Sequence, residues 1–294
     1  MIGLTAQQIA LGACVLLAFG YVLLGSIWLI PSKRAVGGEM LRTLNVAVLI
    51  LVALIGSFLV GGPVQAVLMV ALAMRIGFEA GHVRLGPNRA FAVSAATGVI
   101  VALAVFWSMA QLLYVGLWCL LAVRLIAMPN WQNRTLHGSA ELLVFPVLPL
   151  GILTASALTP YLGPAMLACY ILVETFDSYS LLTGKVIGRT KAFPHLSPRK
   201  TVEGLLGGVV GLMATAAIVA LALDLNVFGA ILFAMAVGVF SLAGDLGASR
   251  LKRNAGVKDF PVVFKSQGGL FDTFDSWIAA GAGISALYVL TSLT

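Results

Sequence analysis

Residues 204–248, GLLGGVVGLMATAAIVALALDLNVFGAILFAMAVGVFSLAGDLGA, hold two long apolar runs separated by the connection DLN at 224–226, and Asp224 and Asp245 are their only charges. A helix that crosses the hydrocarbon core needs about 20 apolar residues, with a usual range of about 17–25. Both runs, 204–223 and 226–248, meet that length. The stretch therefore reads as two membrane-crossing helices joined by a tight turn.

The same pattern extends outward over the whole chain. Of 294 residues, 60% are hydrophobic and 10% charged, and the mean hydropathy is +1.04. A soluble protein of this length needs a charged surface, and 18 basic plus 11 acidic residues cannot cover one. The expected fold is all-α, a polytopic integral membrane protein of about ten transmembrane helices. Spans are predicted near 8–30, 43–60, 64–81, 90–107, 109–127, 142–159, 163–183, 204–223, 226–248 and 276–293. No repeat, low-complexity tract or soluble linker divides them. A single membrane domain over 1–294 is expected, with poorly diagnostic spans in 1–141 and the chemistry in 142–294. Residues 1–7 lack Lys and Arg, so the first run is expected to be a retained span and not a cleaved signal.

Charge sets the orientation. The connections alternate between short, nearly uncharged ones, such as GGP at 61–63 and TPYLG at 159–163, and longer basic ones, such as PSKRAVGGEMLR and GHVRLGPNR. With ten alternating spans, all 18 Lys and Arg residues fall on one side. The positive-inside rule makes that side cytosolic and both termini extracytosolic. The net charge of +7 then reflects loops lying against anionic headgroups. No nucleic-acid module is visible, and no nucleic-acid partner is expected. Cys14, Cys119 and Cys169 are isolated in apolar runs, so they are expected to pack without disulfides or zinc.

Acidic residues inside or beside spans are costly and mark sites to test. Glu174 and Asp177 lie three apart on one helical face near the cytosolic end of the seventh span. Asp245 lies near the same end of the ninth, and Asp272 and Asp275, again three apart, open the tenth. Asp177, Asp245, Asp272 and Asp275 could therefore meet at one membrane depth. Clustered carboxylates repel unless a cation sits among them, and hard oxygen ligands suit magnesium. In the alternative reading, Asp272 and Asp275 only cap the tenth helix and Asp245 pairs with Lys252 or Arg253. Gly268 and Gly269 leave room, and free amides, for a phosphate. Ser197-Pro198 is expected to fix a turn before Lys200, Thr201 and Glu203 begin the eighth helix, where a phosphate would meet Lys200 and the helix N-terminus. Arg75 and Glu79, spaced i to i+4, are expected to neutralise each other. His82, His137 and His195 read as loop or interface residues, and the glycines of GGVVG at 207–211, with Gly238 and Gly244, as close helix packing. No GxxxxGK[ST], GxSxG or HExxH pattern is present.

The segment SRLKRNAGVKDFPVVFKSQGGLFDTFDSW, residues 249–277, resembles the signature of phosphatidate cytidylyltransferases, S-x-L-K-R followed by K-D and then H-G-G-x-x-D-R-x-D. Ser249, Leu251, Lys252, Arg253, Lys258, Asp259, Gly268, Gly269, Asp272 and Asp275 match it, and GDL at 244–246 fits what precedes it. Asp177, Gly184, Lys185, Ser197, Pro198, Lys200, Thr201, Glu203 and Gly204 match a second family segment. Gln267 stands where the family has His, Thr273 where it has Arg, and SYS follows Asp177 where a small residue and Ala-Tyr are usual. The first half of the chain resembles the family only as a hydrophobic profile.

That resemblance implies CTP-dependent transfer of CMP to a lipid phosphate, giving CDP-diacylglycerol and pyrophosphate from phosphatidate in phospholipid biosynthesis. It implies Asp272, Asp275, Lys252 and Arg253 as catalytic residues. Lys200, Ser197, Lys258, Asp259, Gly268, Gly269, Gln267 and Ser249 would bind substrate. Mg2+ would be held by Asp272, Asp275, Asp245 and Asp177, with a monovalent cation, Arg250 or Lys265 replacing the charge absent at Thr273. The expected partners are CTP, phosphatidate or a related lipid phosphate, and membrane lipids; a homodimer is also admitted. The expected location is a bacterial inner (plasma) membrane with the active site at the cytosolic face. A cytidylyltransferase for another lipid phosphate and a catalytically weakened lipid-binding paralogue remain as alternatives. A transporter is disfavoured because the acids sit at one face and no inverted repeat is evident.

Overall fold

A computed structural model describes residues 5–31, 34–107, 109–127, 133–263 and 268–292. Among them are ten helices long and apolar enough to cross a membrane. They are α1 Ala6–Leu29, α2 Arg34–Val60, α3 Gly62–Leu85, α4 Pro87–Phe106, α5 Ala110–Ala127, α6 Arg134–Ala157, α7 Gly163–Ile187, α8 Val202–Ala222, α9 Val227–Asn254 and α10 Leu270–Ser292. The protein is all-α and integral to a membrane, and every predicted span has its helix.

The helix starts follow from local chemistry. Pro87 sits in the first turn of α4, where its missing N–H costs nothing. The side chains of Asn133, Thr201 and Asn226 accept from amides in the first turns of α6, α8 and α9, satisfying donors that the helix itself cannot. Four boundaries differ clearly from the expectation: α2 starts at Arg34, well before its apolar run, α9 runs on to Asn254, and α6 and α10 both start early. Helix α6 starts at Arg134, before the apolar run, because Asn133 caps a polar first half; Leu143–Val147 then widens around Pro146, with Phe145 extended, before the apolar second half. Helix α10 starts at Leu270, which places both Asp272 and Asp275 in its first two turns.

One further element is not helical. Lys191–Phe193 (β1) and Ser197–Thr201 (β2) form an antiparallel hairpin between α7 and α8. The turn expected at Ser197-Pro198 lies instead at 194–196, and Ser197 and Pro198 begin the second strand. Pro198 is tolerated there because a two-stranded hairpin has only edges. The carboxylate of Glu203 accepts from the amides of Arg189 and Thr190, at 3.0 and 3.1 Å for the nearer oxygen, and ties the hairpin base to the start of α8.

The core lies where α10 meets α3, the second half of α6, α7 and α9. Trp277 is fully buried, donates its Nε1–H to the carbonyl of Met166 at 2.8 Å, and packs edge-on against Tyr170. Leucines, isoleucines and phenylalanines stay outward on α4 and α5: Phe106 is 88% and Ile126 81% exposed, as a lipid-facing surface requires. The glycines expected at helix contacts are there. A Cβ on Gly208 or Gly211 of α8 would run into Phe176 or Tyr179 of α7, and one on Gly244 of α9 would come within 2.5 Å of the Asp275 carbonyl oxygen. That last approach brings Asp245, the neighbour of Gly244, to the first turns of α10.

Candidate functional site

Five elements converge at one end of the bundle: α7 with Asp177, the hairpin with Lys200, α9 with Asp245 and Lys252, α10 with Asp272 and Asp275, and α3 with Glu79. Asp245 Oδ2 lies 3.0 Å from Lys200 Nζ, off the ideal hydrogen-bonding direction, with the two side chains 27% and 20% exposed. Neither partner anticipated for Asp245, Lys252 or Arg253, is the one it takes. Burial depresses the Lys200 ammonium, but Asp245, Asp177 and Asp275 outweigh that penalty and hold its pKa above the ordinary lysine value. Lys200 therefore remains a cation among three acids.

Lys252 takes Asp272, with Nζ 2.5 Å from Oδ1, and lies over the ring of Phe260, 5.3 Å from its centroid. The other oxygen, Asp272 Oδ2, accepts from the amides of Phe260 and Gly269, both at 3.2 Å. Gly269 is the residue before α10, so Asp272 reaches back as the acid of a capping box does. Capping is thus part of its role, as the alternative reading held. Asp275 is 5% exposed and, among the described residues, makes no ion pair. It is repelled by Asp245, Asp177 and Asp272 and attracted by Lys252.

Glu79 is the residue that sequence reasoning undervalued. It does pair with Arg75, at 2.9 Å, as the i to i+4 spacing suggests. Fully buried on α3, it also accepts from the amides of Leu270 at 3.1 Å and Phe271 at 2.9 Å, the first two residues of α10. A carboxylate from another helix therefore caps the helix that carries Asp272 and Asp275, where the positive end of the dipole favours it. The only signal in the sequence was an acid in an apolar run with one cation for company.

The glycine pair serves this arrangement first. Gly268 has φ 91°, a left-handed conformation that side chains resist, and its carbonyl accepts from Val263 at 2.8 Å. A Cβ on Gly269 would collide with the Glu79 carboxylate. The Gly269 amide, expected to be free for phosphate, donates to Asp272 instead.

The remaining candidates divide. Arg253 donates to the carbonyls of Leu196 and Val257, at 3.4 and 3.2 Å, and so fastens the hairpin to the end of α9. Ser249 is buried on α9, Ser197 begins β2, and Lys258 and Asp259 are exposed on the connection that follows α9. The Thr273 hydroxyl turns back to the Gly269 carbonyl at 3.0 Å. Gln267 and Lys265 lie outside the described residues.

Asp177, Asp245, Asp272 and Asp275 outnumber the ammonium groups among them, Lys200 and Lys252, by four to two. As they stand, no three acidic, His or Cys side chains among the described residues form a metal-binding group, and the lysines pair with Asp245 and Asp272. The surplus negative charge and the hard oxygen donors nevertheless fit a divalent cation of the magnesium type. Lys200 and Lys252 also place two ammonium groups, suited to polyanions, at one end of an apolar bundle.

The sequence model described as the cytidylyltransferase family matches residues 40–291. The chain is 40% identical over 119 residues to "Uncharacterized protein YnbB" of Escherichia coli (strain K12), covering 40% of each. It is 33% identical over 158 residues to the phosphatidate cytidylyltransferase of Aquifex aeolicus, covering 52% of this chain and 57% of that one. It is 38% identical over 113 residues to the phosphatidate cytidylyltransferase of Bacillus subtilis, covering 38% and 42%. The chain spans about half the length of the curated relatives it matches.

Proposed function

The chain belongs to the cytidylyltransferase family, and on that premise we propose that it transfers CMP from CTP to a lipid phosphate in the membrane, with phosphatidate as the substrate. The observation that carries this reading is the meeting of Asp177, Asp245, Asp272 and Asp275 with Lys200 and Lys252 at one end of ten spans.

The reaction joins two polyanions. An oxygen of the lipid phosphate attacks the α-phosphorus of CTP, a new phosphorus–oxygen bond forms, and the bond to the β-phosphate oxygen breaks. Pyrophosphate leaves with the electron pair. The nucleophile is already an anion, so no strong general base is required; alignment and charge neutralisation are the main tasks. Lys200 and Lys252 are held in place by Asp245 and Asp272, which lets them turn to a phosphate without being buried unpaired. Magnesium bound by Asp275, Asp245, Asp177 and Asp272 would supply further positive charge at the phosphates. The lipid keeps its acyl chains in the bilayer while its phosphate reaches the site, which accounts for nucleotide chemistry housed among spans.

Purified protein given CTP, phosphatidate and magnesium is expected to release pyrophosphate and form CDP-diacylglycerol, and to stop when EDTA is added in excess. Turnover unchanged by EDTA would remove the metal, and no product from any lipid phosphate would remove the reaction.

The orientation follows from charge. The site lies at the cytosolic face of a bacterial inner membrane, with both termini on the other side. Reporters that are active only in the cytosol are expected to be silent at either terminus and active when inserted in the β1–β2 hairpin. A cytosolic signal at a terminus would overturn this orientation.

A further inference from the structure

A cleft of about 310 Å³ opens between α1, α2 and α7, next to the carboxylate cluster and separate from its ion pairs. That volume falls at the lower end of the range for small-molecule sites, about 300–1,000 Å³. Its walls are apolar over most of their length: Leu17, Gly20 and Leu24 from α1 face Leu44 and Ala47 from α2. The third wall, α7, changes character along its axis. It lines the cleft from Tyr170 through Glu174, Ser178 and Leu182 to Lys185. At 1.5 Å per residue this run is about 22 Å long, more than the ~15 Å of hydrocarbon in one leaflet.

We propose that this cleft seats an acyl chain of the lipid-phosphate substrate. The inference rests on the reading given under Proposed function and adds the part of the enzyme that recognises the tail. Three observations carry it. The first is adjacency: Glu174 lines the cleft and repels Asp177, one turn further along α7 on the same face, and Asp177 in turn feels Lys200 and Asp245. A lipid whose phosphate meets the cluster therefore has its glycerol end beside the cleft. The second is the gradient of polarity. Ser178 and Tyr179 carry hydroxyls where ester groups would lie, while the leucines line the remainder. The third is space. A Cβ on Gly20 would meet only Leu44 Cδ2, at 3.9 Å, so a side chain there would project into room that the chain leaves open. Helix α1 lies wholly before residue 40, where the family match begins. One of the three walls is thus built from a part of the chain that the match does not include, while the α2 and α7 walls lie within it.

Filling the cleft must then select against long tails and leave the reacting groups alone. Gly20→Phe and Ala47→Phe are tested separately in the full-length protein with CTP and magnesium, on dioleoyl phosphatidate and on dihexanoyl phosphatidate. Each variant is expected to lower kcat/KM for the dioleoyl substrate tenfold or more and to keep that for the dihexanoyl substrate within twofold. Retained short-chain activity shows that the variant is folded. An equal fall for both lipids, or no change for either, would overturn the proposal.

A binding measurement separates this failure from failure of the proposed reaction. Phosphatidate with a diazirine at its acyl terminus is photolysed with the wild-type protein, and the labelled peptides are mapped. Labelling on α1 and α7, competed by unlabelled phosphatidate and not by phosphatidylcholine, is expected even if no CDP-lipid forms. Labelling elsewhere, or equal competition by phosphatidylcholine, would mark the cleft as ordinary lipid-facing surface and overturn the proposal even in an active enzyme.

Discussion

Asp275→Asn is expected to lower CDP-lipid formation about 10³-fold or more while leaving the unfolding midpoint unchanged or higher. The activity loss follows from removing a charged oxygen ligand where phosphate charge must be neutralised, and 10³-fold corresponds to about 4 kcal/mol of transition-state stabilisation. The stability result has the opposite sign for a local reason. Asp275 is 5% exposed, has no ion-pair partner among the described residues, and feels the repelling charges of Asp245, Asp177 and Asp272 against the more distant attraction of Lys252 and Lys200. Asn removes that repulsion and keeps the shape. Asp272→Asn is the contrasting case. It weakens the contact to Lys252 and the acceptor for the Phe260 and Gly269 amides, so activity and stability both fall, the latter by about 1–3 kcal/mol. Turnover at saturating magnesium, together with thermal unfolding in the same detergent, reads both. Near wild-type turnover for Asp275→Asn would sink the proposal that it is a metal ligand; a marked loss of stability would show that the attraction of Lys252 and Lys200 outweighs the repulsion.

Glu79→Ala is expected to destabilise the protein by about 2–4 kcal/mol and to cut activity severely, although Glu79 lies on α3 and meets the cluster as a like charge near Asp272. The truncation leaves the amides of Leu270 and Phe271 without their acceptor at a buried helix start, and each such orphan costs about 1–3 kcal/mol. It also frees the N-terminus of α10, whose placement sets Asp272 and Asp275. Glu79 is a positioning residue, so the conservative change discriminates. Glu79→Gln keeps one oxygen acceptor and is expected to recover a substantial part of both stability and activity. Gly269→Ala, which drives a methyl group into the Glu79 carboxylate, is expected to resemble Glu79→Ala. Amide exchange at Leu270 and Phe271 gives the direct readout. Unchanged protection in Glu79→Ala would show that α10 is held by packing alone.

Much of this protein is legible along one dimension. The ten spans follow from the length of apolar runs, because the hydrocarbon core dictates how much chain must be apolar to cross it. The shared depth of Asp177, Asp245, Asp272 and Asp275 follows from their positions at the ends of those runs. The pairing of Arg75 with Glu79 follows from helical spacing. The polar first half of α6 was missed because residues 134–141 lack an apolar run, and the hairpin at 191–201 because strands of three and five residues leave too little periodicity to read.

Tertiary structure alone decided which charge answers which. Spacing offered Lys252 or Arg253 to Asp245, yet Lys252 turns to Asp272, Arg253 to backbone carbonyls, and Asp245 to Lys200 on the hairpin. Spacing gave Glu79 one partner, and the fold added two amides from the far end of the chain. The physical reason is common to both. The medium and the helical period act on neighbours in sequence, so they leave their mark in the order of residues. A buried charge instead takes whatever donor the packing brings within about 3 Å. Here that packing depends on the Gly244 contact between α9 and α10 and on the room that Gly269 leaves for a carboxylate from α3.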